Sequence, residues 1–334
     1  MRPCVVISHM SVLDFEKPIV ELEEKIKELK NFGSDKNISI EPEIKKLQGK
    51  LEKMKSDIYN NLSAWQRVMI ARHPDRPYSL DYIRMMMTEF TELHGDRMFS
   101  DDLALIGGLA KIDGIKVAVM GHQKGRDVKE NVRRNFGCAH PEGYRKAMRI
   151  MDMAQKFKLP IIIFIDTPGA YPGIGAEERG QAQAIATNLK EMAMIKTPII
   201  ATVIGEGGSG GALGVGIADK VCILQHAYYS VISPEGCASI LWRSSSKAPE
   251  AAEALKITSE HLKKFGVVDE VIPEPLCGAH TDPDFVVTNL KKVLIKYIKE
   301  LSVLAPQKLL DQRYQKFRTI GEYIDRQKEQ LDEK

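Results

Sequence analysis

One pattern occurs twice between residues 161 and 216, as Ile161-Ile-Ile-Phe-Ile-Asp-Thr-Pro-Gly-Ala-Tyr-Pro-Gly173 and again as Ile199-Ile-Ala-Thr-Val-Ile-Gly-Glu-Gly-Gly-Ser-Gly-Gly211. Each copy is a run of apolar residues followed by a glycine-rich segment and then by a helical pattern. Runs of consecutive apolar residues predict strands buried on both faces, as in a sheet covered by helices. The two units therefore predict an α/β fold with a glycine loop after each of two core strands.

A glycine loop that opens a helix has a recognisable chemistry. Glycine lets a ligand approach the backbone closely, and the first N–H groups of a helix have no partner within it. Such groups bind a phosphate or stabilise an oxyanion formed during a reaction. Neither loop supplies the lysine of the G-x-x-x-x-G-K-[ST] motif of a mononucleotide site, and both fit the dinucleotide fingerprint G-x-G-x-x-G poorly.

A serine hydrolase is one alternative, because Gly207-Gly-Ser-Gly-Gly211 matches G-x-S-x-G between a predicted strand and a predicted helix. Ser209 would be the nucleophile. None of the available partners stands in a distinctive motif; they are Asp219 or Asp269 with His226, His261 or His280. The plainer interpretation is that Ser209 is a small residue tolerated by a tight turn.

Composition sets outer limits on the function. The 334 residues are 43% hydrophobic with a net charge of +3, which is typical of a globular protein and does not indicate nucleic-acid binding. The five cysteines include no C-x-x-C pair, which argues against a zinc ribbon and favours a reducing compartment. No apolar run reaches the roughly 18–20 residues of a membrane span, and the first residues do not resemble a signal peptide. We expect a cytoplasmic protein with no metal of its own.

The chain divides into three predicted segments. Residues 1–79 predict an N-terminal helical hairpin and a linker, residues 80–305 the α/β domain, and residues 306–334 a C-terminal helical extension. Within the α/β domain, the pattern predicts a helix over Tyr82–Leu93. Two strands are predicted next, joined by a tight turn at Asp113-Gly114.

The loop between residues 121 and 137 is the most basic in the chain. Two interpretations stay open: an exposed loop without a ligand, or a contact with an anionic substrate or carrier. Its candidate binding residues are Lys124, Arg126, Arg133 and Arg134.

Several motifs together resemble one family, the alpha subunit of the bacterial acetyl-CoA carboxylase carboxyltransferase. The resemblance runs from about residue 12 to residue 320. The motifs that carry it are Arg133-Arg-Asn-Phe-Gly137, Pro141-Glu-Gly-Tyr-Arg-Lys146, Ile165–Gly173, Ala176-Glu-Glu-Arg-Gly180, Gly205–Leu213 and Ser230–Trp242.

The resemblance implies a crotonase-like fold, a ββα superhelix. It implies transfer of a carboxyl group from carboxybiotin to acetyl-CoA, giving malonyl-CoA for fatty-acid synthesis. Biotin would be carried covalently by a separate biotin carboxyl carrier protein, and biotin carboxylase would load it using ATP. The partner would be a beta subunit that carries a zinc ribbon, in an α2β2 assembly.

The resemblance also assigns the site, because in this family the alpha subunit holds biotin. The reaction needs backbone donors at oxyanions rather than a protein nucleophile. We expect the N–H groups of Gly210 and Gly211 to form the oxyanion hole, with Gly207 and Gly208 shaping the turn. Gly169 and Ala170 would line the same cleft. The other class of function is a non-catalytic scaffold whose glycines only pack a helix against the sheet.

Overall fold

The computed structural model describes residues 12–36 and 41–321. Within these residues, eight strands form one sheet. The strand order is β1-β2-β3-β4-β5-β6-β8, and β7 pairs with the end of β5. The first three strands are antiparallel, and all later pairs are parallel. The strands are β1 (Thr88–Glu92), β2 (Leu105–Ile112), β3 (Ile115–His122), β4 (Ile161–Thr167), β5 (Ile199–Gly208), β6 (Lys220–Leu224), β7 (Tyr228–Ser230) and β8 (Glu270–Ile272).

Strands β4 and β5 form the centre of this sheet, and every residue of both is buried. The sequence prediction of two doubly covered strands is therefore confirmed. Their parallel register pairs Ile161 with Ile199 and, after an irregularity, Thr167 with Gly207. Because carboxyl ends of parallel strands meet at one edge, the two glycine segments leave the sheet side by side.

Helices cover both faces of the sheet and extend beyond it at the N-terminal side. Pro283 and Pro306 each occupy the first turn of a helix, where the missing N–H costs nothing. The α-helices are α1 (Lys17–Lys36), α2 (Glu41–Asn60), α3 (Ala64–Ala71), α4 (Ser79–Met86), α5 (Val128–Arg133), α6 (Pro141–Lys156), α7 (Ile174–Glu178), α8 (Gln181–Met194), α9 (Ser209–Leu213), α10 (Pro234–Trp242), α11 (Ala248–Leu255), α12 (Ser259–Lys264), α13 (Pro283–Ser302) and α14 (Pro306–Arg318).

The N-terminal helices α1 and α2 pack together, as predicted, around Ile19, Ile26 and Leu51. The same cluster includes Ile70 and Cys277, so the two helices also contact the body of the protein. Lys55 of α2 is buried in this packing and pairs with Glu23 of α1 at 2.7 Å. Residues 1–11, 37–40 and 322–334 of the predicted terminal segments lie outside the described residues.

The predicted linker, which is residues 71–78 at the end of the N-terminal segment, packs against the body of the protein. Arg76 is fully buried, and its Nε donates to the carbonyl oxygen of Ile204 at 2.7 Å. Its other two nitrogens bind both carboxylate oxygens of Glu274 at 2.6 and 2.7 Å. Such a bidentate pair fixes orientation as well as position, so this segment is anchored directly on β5.

One helix prediction was wrong. Instead of a single helix over Tyr82–Leu93, α4 ends at Met86 and the chain continues as the edge strand β1. The strand contains β-branched and aromatic residues, which favour an extended backbone. Gly108 of β2 permits the pairing, because a side chain there would meet the Thr91 carbonyl oxygen at 2.0 Å. The turn at Asp113-Gly114 is confirmed, with positive φ at both residues.

Helix α14 is tied to the body by Arg313, which is buried. Its guanidinium pairs with Asp219 at 2.8 Å and donates to the carbonyl oxygens of Met192 and Ile195 at 2.7 and 2.8 Å. One side chain thus joins the end of α8, the start of β6 and the C-terminal helix. The division of the chain at residues 79 and 305 stays a prediction.

Candidate active site

The second glycine segment divides between a strand and a helix. Gly207 and Gly208 belong to β5 and pair with Tyr229 and Ser230 of β7. The expectation that these two glycines shape a turn is therefore corrected: β7 supplies partners that extend the strand to Gly208. Helix α9 begins immediately afterwards at Ser209, so the N–H groups of residues 209–211 lie in its first turn, where a helix offers no internal partner.

The two glycine segments touch through their backbones. A Cβ atom placed on Gly208 would lie 2.1 Å from the carbonyl oxygen of Pro168. One placed on Gly211 would lie 2.4 Å from the carbonyl carbon of Gly169 and 2.5 Å from the nitrogen of Ala170. Only glycine fits at either position, because real Cβ contacts are not that short. The structure therefore brings Gly208 and Gly211 into backbone contact with residues 168–170, and the cleft that Gly169 and Ala170 would line stays a prediction.

Gly210 differs from its neighbour. A Cβ atom there would make an ordinary contact, 3.6 Å from Cδ1 of Ile185 in α8, and Gly210 is partly exposed whereas Gly211 is buried. The hydroxyl of Tyr144 lies 3.4 Å from the Gly211 carbonyl oxygen, which supports α9 from below.

Beneath these loops lies an ion cluster that sequence reasoning missed. The Lys124 ammonium donates to Asp166 Oδ1 at 2.7 Å and to Glu206 Oε1 at 2.8 Å. The same Asp166 oxygen accepts the backbone N–H of Glu206 at 2.9 Å. Asp166 lies two residues before Pro168, and Glu206 lies two residues before Gly208. Pro168 and Gly208 are in backbone contact with each other. Their place just ahead of the two glycine loops is a sequence signal that would have marked both carboxylates.

Two further side chains complete this ion cluster. Arg72 Nε and the Tyr228 hydroxyl donate to Glu206 Oε2 at 2.7 and 2.6 Å. Burial on its own would raise the pKa of Glu206, but the charges of Lys124 and Arg72 lower it to about 2. Burial would likewise lower the pKa of Lys124, yet the two carboxylates hold that pKa above its ordinary value. Arg72 pairs with Glu235 as well. Lys124, Arg72 and Glu206 are therefore ionised at neutral pH.

The basic residues of the 121–137 loop do not share one surface. Lys124 is in the ion cluster, and its side chain is only 12% exposed. Arg126 pairs with Asp81 and stacks over the Tyr78 ring. Arg134 is held by Glu130 at 2.9 Å and by the carbonyl oxygen of Leu103 at 2.9 Å, whereas Arg133 is exposed at the end of α5.

Among the described residues, no hydrogen bond joins Ser209 to a partner that a serine nucleophile would need. Asp219 pairs with Arg313, and Asp269 pairs with Lys316. His261 bonds to Thr258 at 2.8 Å, and His280 stacks on His73. His226 is buried, and its backbone N–H is bound by Glu274. Ser209 itself is exposed with a positive φ of 51°, and no hydrogen bond connects it to a histidine of the described chain.

Across residues 12–36 and 41–321, no group of three or more His, Cys, Asp or Glu side chains is arranged to hold a metal ion. In the same residues, no helix combines the length and the apolar character that crossing a bilayer requires.

The sheet and the paired loops define the crotonase-like fold of carboxyltransferases. The transcarboxylase 12S structure with methylmalonyl-coenzyme A and methylmalonic acid bound has a TM-score of 0.54 to this chain at 21% identity. The match covers 67% of this chain and 42% of that one, so this chain spans less than half of the transcarboxylase. The predicted fold class is thereby confirmed.

Residues 12–321 match the family described as acetyl co-enzyme A carboxylase carboxyltransferase-like, and the chain belongs to that family. The acetyl-coenzyme A carboxylase carboxyl transferase subunit alpha of Thioalkalivibrio sulfidiphilus is 56% identical over 311 residues, 93% of this chain and 98% of that protein. The subunit of the same name from Pseudomonas paraeruginosa is 58% identical over 309 residues, 92% of this chain and 98% of that protein. The family resemblance in the motifs is confirmed.

Proposed function

We propose that this chain is the alpha subunit of an acetyl-CoA carboxylase carboxyltransferase. It transfers a carboxyl group from carboxybiotin, borne on a carrier protein, to acetyl-CoA and so produces malonyl-CoA. The observation that carries this conclusion is the match over nearly the whole chain to alpha subunits at 56–58% identity. The backbone contact between the two glycine segments supplies the site where this chemistry fits.

In this proposal the oxyanion hole is formed by the backbone N–H groups of Gly210 and Gly211. Biotin supplies a ureido oxygen on which negative charge develops. Donors fixed in a helix's first turn stabilise such charge without reorganising during the reaction. The residues fit the group, because Gly169 has no heavy atom within 4 Å of the position that a Cβ would take, so the first loop leaves open space there for a ligand. Because Gly208 has no side chain, the backbone just before α9 can pack against Pro168 of the first loop.

A beta subunit completes the active site in this proposal and provides the acetyl-CoA site together with its own zinc ribbon. Large apolar side chains exposed on and before α10 support a protein partner. Val231 is 78% exposed and Ile240 is 72% exposed, and Leu241 and Trp242 follow directly. The carrier protein and biotin carboxylase complete the enzyme. Among the described residues, Cys138, Cys222, Cys237 and Cys277 form no disulfide, which supports a reducing cytoplasm.

The test is reconstitution from purified subunits. The chain alone and the chain with its beta subunit are assayed for malonyl-CoA decarboxylation with free biotin as acceptor, and for the forward reaction with carboxylated carrier protein. We expect activity only in the mixture, because the acetyl-CoA site is on the partner. Robust transfer by the single chain, or no transfer by a correctly assembled complex, contradicts the proposal.

A further inference from the structure

Lys124 connects the strands that lead into the two glycine segments. Asp166 is in β4 and Glu206 is in β5, and one ammonium bonds both carboxylates. The two segments then meet through Gly211 and the backbone of residues 169 and 170. Lys124 therefore links β4 and β5 just before the point where the two glycine segments come into contact.

Each carboxylate of this cluster has a positive partner. Arg72 pairs with Glu206 and also with Glu235. Lys124 contacts Asp166 and shares Glu206 with Arg72. The side chains of Asp166 and Glu206 are 3% and 8% exposed. A buried charge that loses its partner is strongly destabilising, so the ammonium and both carboxylates must stay in contact. Lys124 thus adds a side-chain link to the backbone pairing of β4 and β5, at the point where the glycine segments begin.

We propose that Lys124 is a positioning residue that sets the relative placement of the two glycine loops, and that it is not a ligand of substrate. This inference rests on the proposed function, since it assigns the loops to the oxyanion hole. Two of the three ammonium donors are already used by carboxylates. Gly137, from the adjacent loop, covers the stem: a Cβ there would lie 3.0 Å from Cγ of Lys124. Little of Lys124 is left to meet an anion from solvent.

Lys55 provides a matched control. Its side chain is 2% exposed and pairs with Glu23 at 2.7 Å, but it lies in the N-terminal helices, on α2 and outside the ion cluster. Lys55→Met removes a buried, paired ammonium without touching either loop. Lys55→Met therefore measures the loss of stability and activity that follows from removing any buried, paired ammonium. Lys124→Met includes the same loss.

A second variant separates bridging from charge balance. Lys124→Met together with Asp166→Asn removes one charge of each sign, and Arg72 still pairs with Glu206 and Glu235. The ammonium bridge between β4 and β5 remains broken. If Lys124 only neutralises charge, the double variant recovers the activity that Lys124→Met loses. If Lys124 positions the loops, the double variant recovers stability but not turnover.

The experiment compares the three variants with wild type in complex with the beta subunit. We expect Lys124→Met and the double variant to lose about 10²-fold in kcat, the effect of misplacing reacting groups by about 1 Å, with KM for malonyl-CoA within about twofold. Hydrogen exchange of peptides covering residues 166–173 and 205–213 should accelerate together in both variants, on the chain alone as well as in the complex. Lys55→Met should change neither kcat nor these peptides.

Three results overturn the inference: a raised KM with kcat retained, recovery of kcat in the double variant, or loop exchange no faster than in Lys55→Met. An inactive wild-type complex contradicts the proposed function instead. The exchange measurement on the single chain still tests the role of Lys124 in that case.

Discussion

Replacing Gly211 with Ala should separate the two glycine loops. The new Cβ would lie 2.4 Å from the carbonyl carbon of Gly169, whereas unbonded carbon atoms prefer about 3.5–4.0 Å. The contacted atoms are backbone and cannot rotate away, so one loop must move by about 1 Å. A displacement of that size at reacting groups costs about 10²-fold in rate. Overpacking of this kind costs about 1–3 kcal/mol of stability, which leaves the protein folded.

Gly210→Ala is the matched comparison. Its Cβ would point at Ile185 with an ordinary contact of 3.6 Å, and Ala is favoured over Gly inside a helix by up to about 1 kcal/mol. Both substitutions keep the backbone N–H donors. A difference in kcat between the two variants therefore reports the spacing of the loops and not the loss of a donor. We expect Gly210→Ala to keep kcat within about threefold of wild type, because no backbone atom has to move.

The assay is steady-state malonyl-CoA decarboxylation with free biotin, run on complexes with the beta subunit after thermal unfolding has shown both variants to be folded. A Gly211→Ala variant with wild-type kcat would mean that the loop contact does not govern the chemistry. A Gly210→Ala variant that is the more damaged of the two would mean that the reacting group approaches from the side of α8.

Two other substitutions test the remaining residues of the site. Ser209→Ala should keep most of its activity and a fluorophosphonate probe should leave the wild-type chain unlabelled, since no histidine within the described ranges bonds to Ser209; a dead Ser209→Ala variant would favour a hydrolase. Arg133→Ala should raise KM for acetyl-CoA or for the carrier by up to about fivefold with kcat little changed, as expected for one exposed charge, and the effect should shrink at high salt. Arg134→Ala is its control, because Arg134 is held by Glu130 and by a carbonyl oxygen of its own chain; if KM for both substrates is unaffected by Arg133→Ala, the loop is only structural.

The parts of the fold that were predictable depend on local sequence. Consecutive apolar residues identified β4 and β5, because a strand buried on both faces needs apolar side chains at every position. Asp113-Gly114 identified the hairpin, because its turn needs residues that tolerate positive φ. Strand β1 was missed because Thr88–Glu92 becomes a strand only through its pairing with β2, which no local pattern records.

The candidate site also has a part that was predictable from the sequence and a part that was not. The glycine loops were visible in the sequence, and so was the chemistry of their N–H groups. The role of Lys124 was not visible, because Glu206 is 82 positions away along the chain and their contact exists only in the folded sheet. A lysine in a basic loop has the same local sequence whether it faces solvent or a buried carboxylate. Long-range ion pairs of this kind depend on topology, not on motif.

The buried guanidinium of Arg313 has a consequence for synthesis. It pairs with Asp219 and takes up the carbonyl oxygens at the end of α8, all of which lie about a hundred residues earlier in the chain. A nascent chain therefore carries the buried acid without its counter-charge until α14 has left the ribosome. Cotranslational folding of the central sheet can begin early, but these polar groups must stay hydrated until then, and the final packing of α8 and β6 waits for the last described helix.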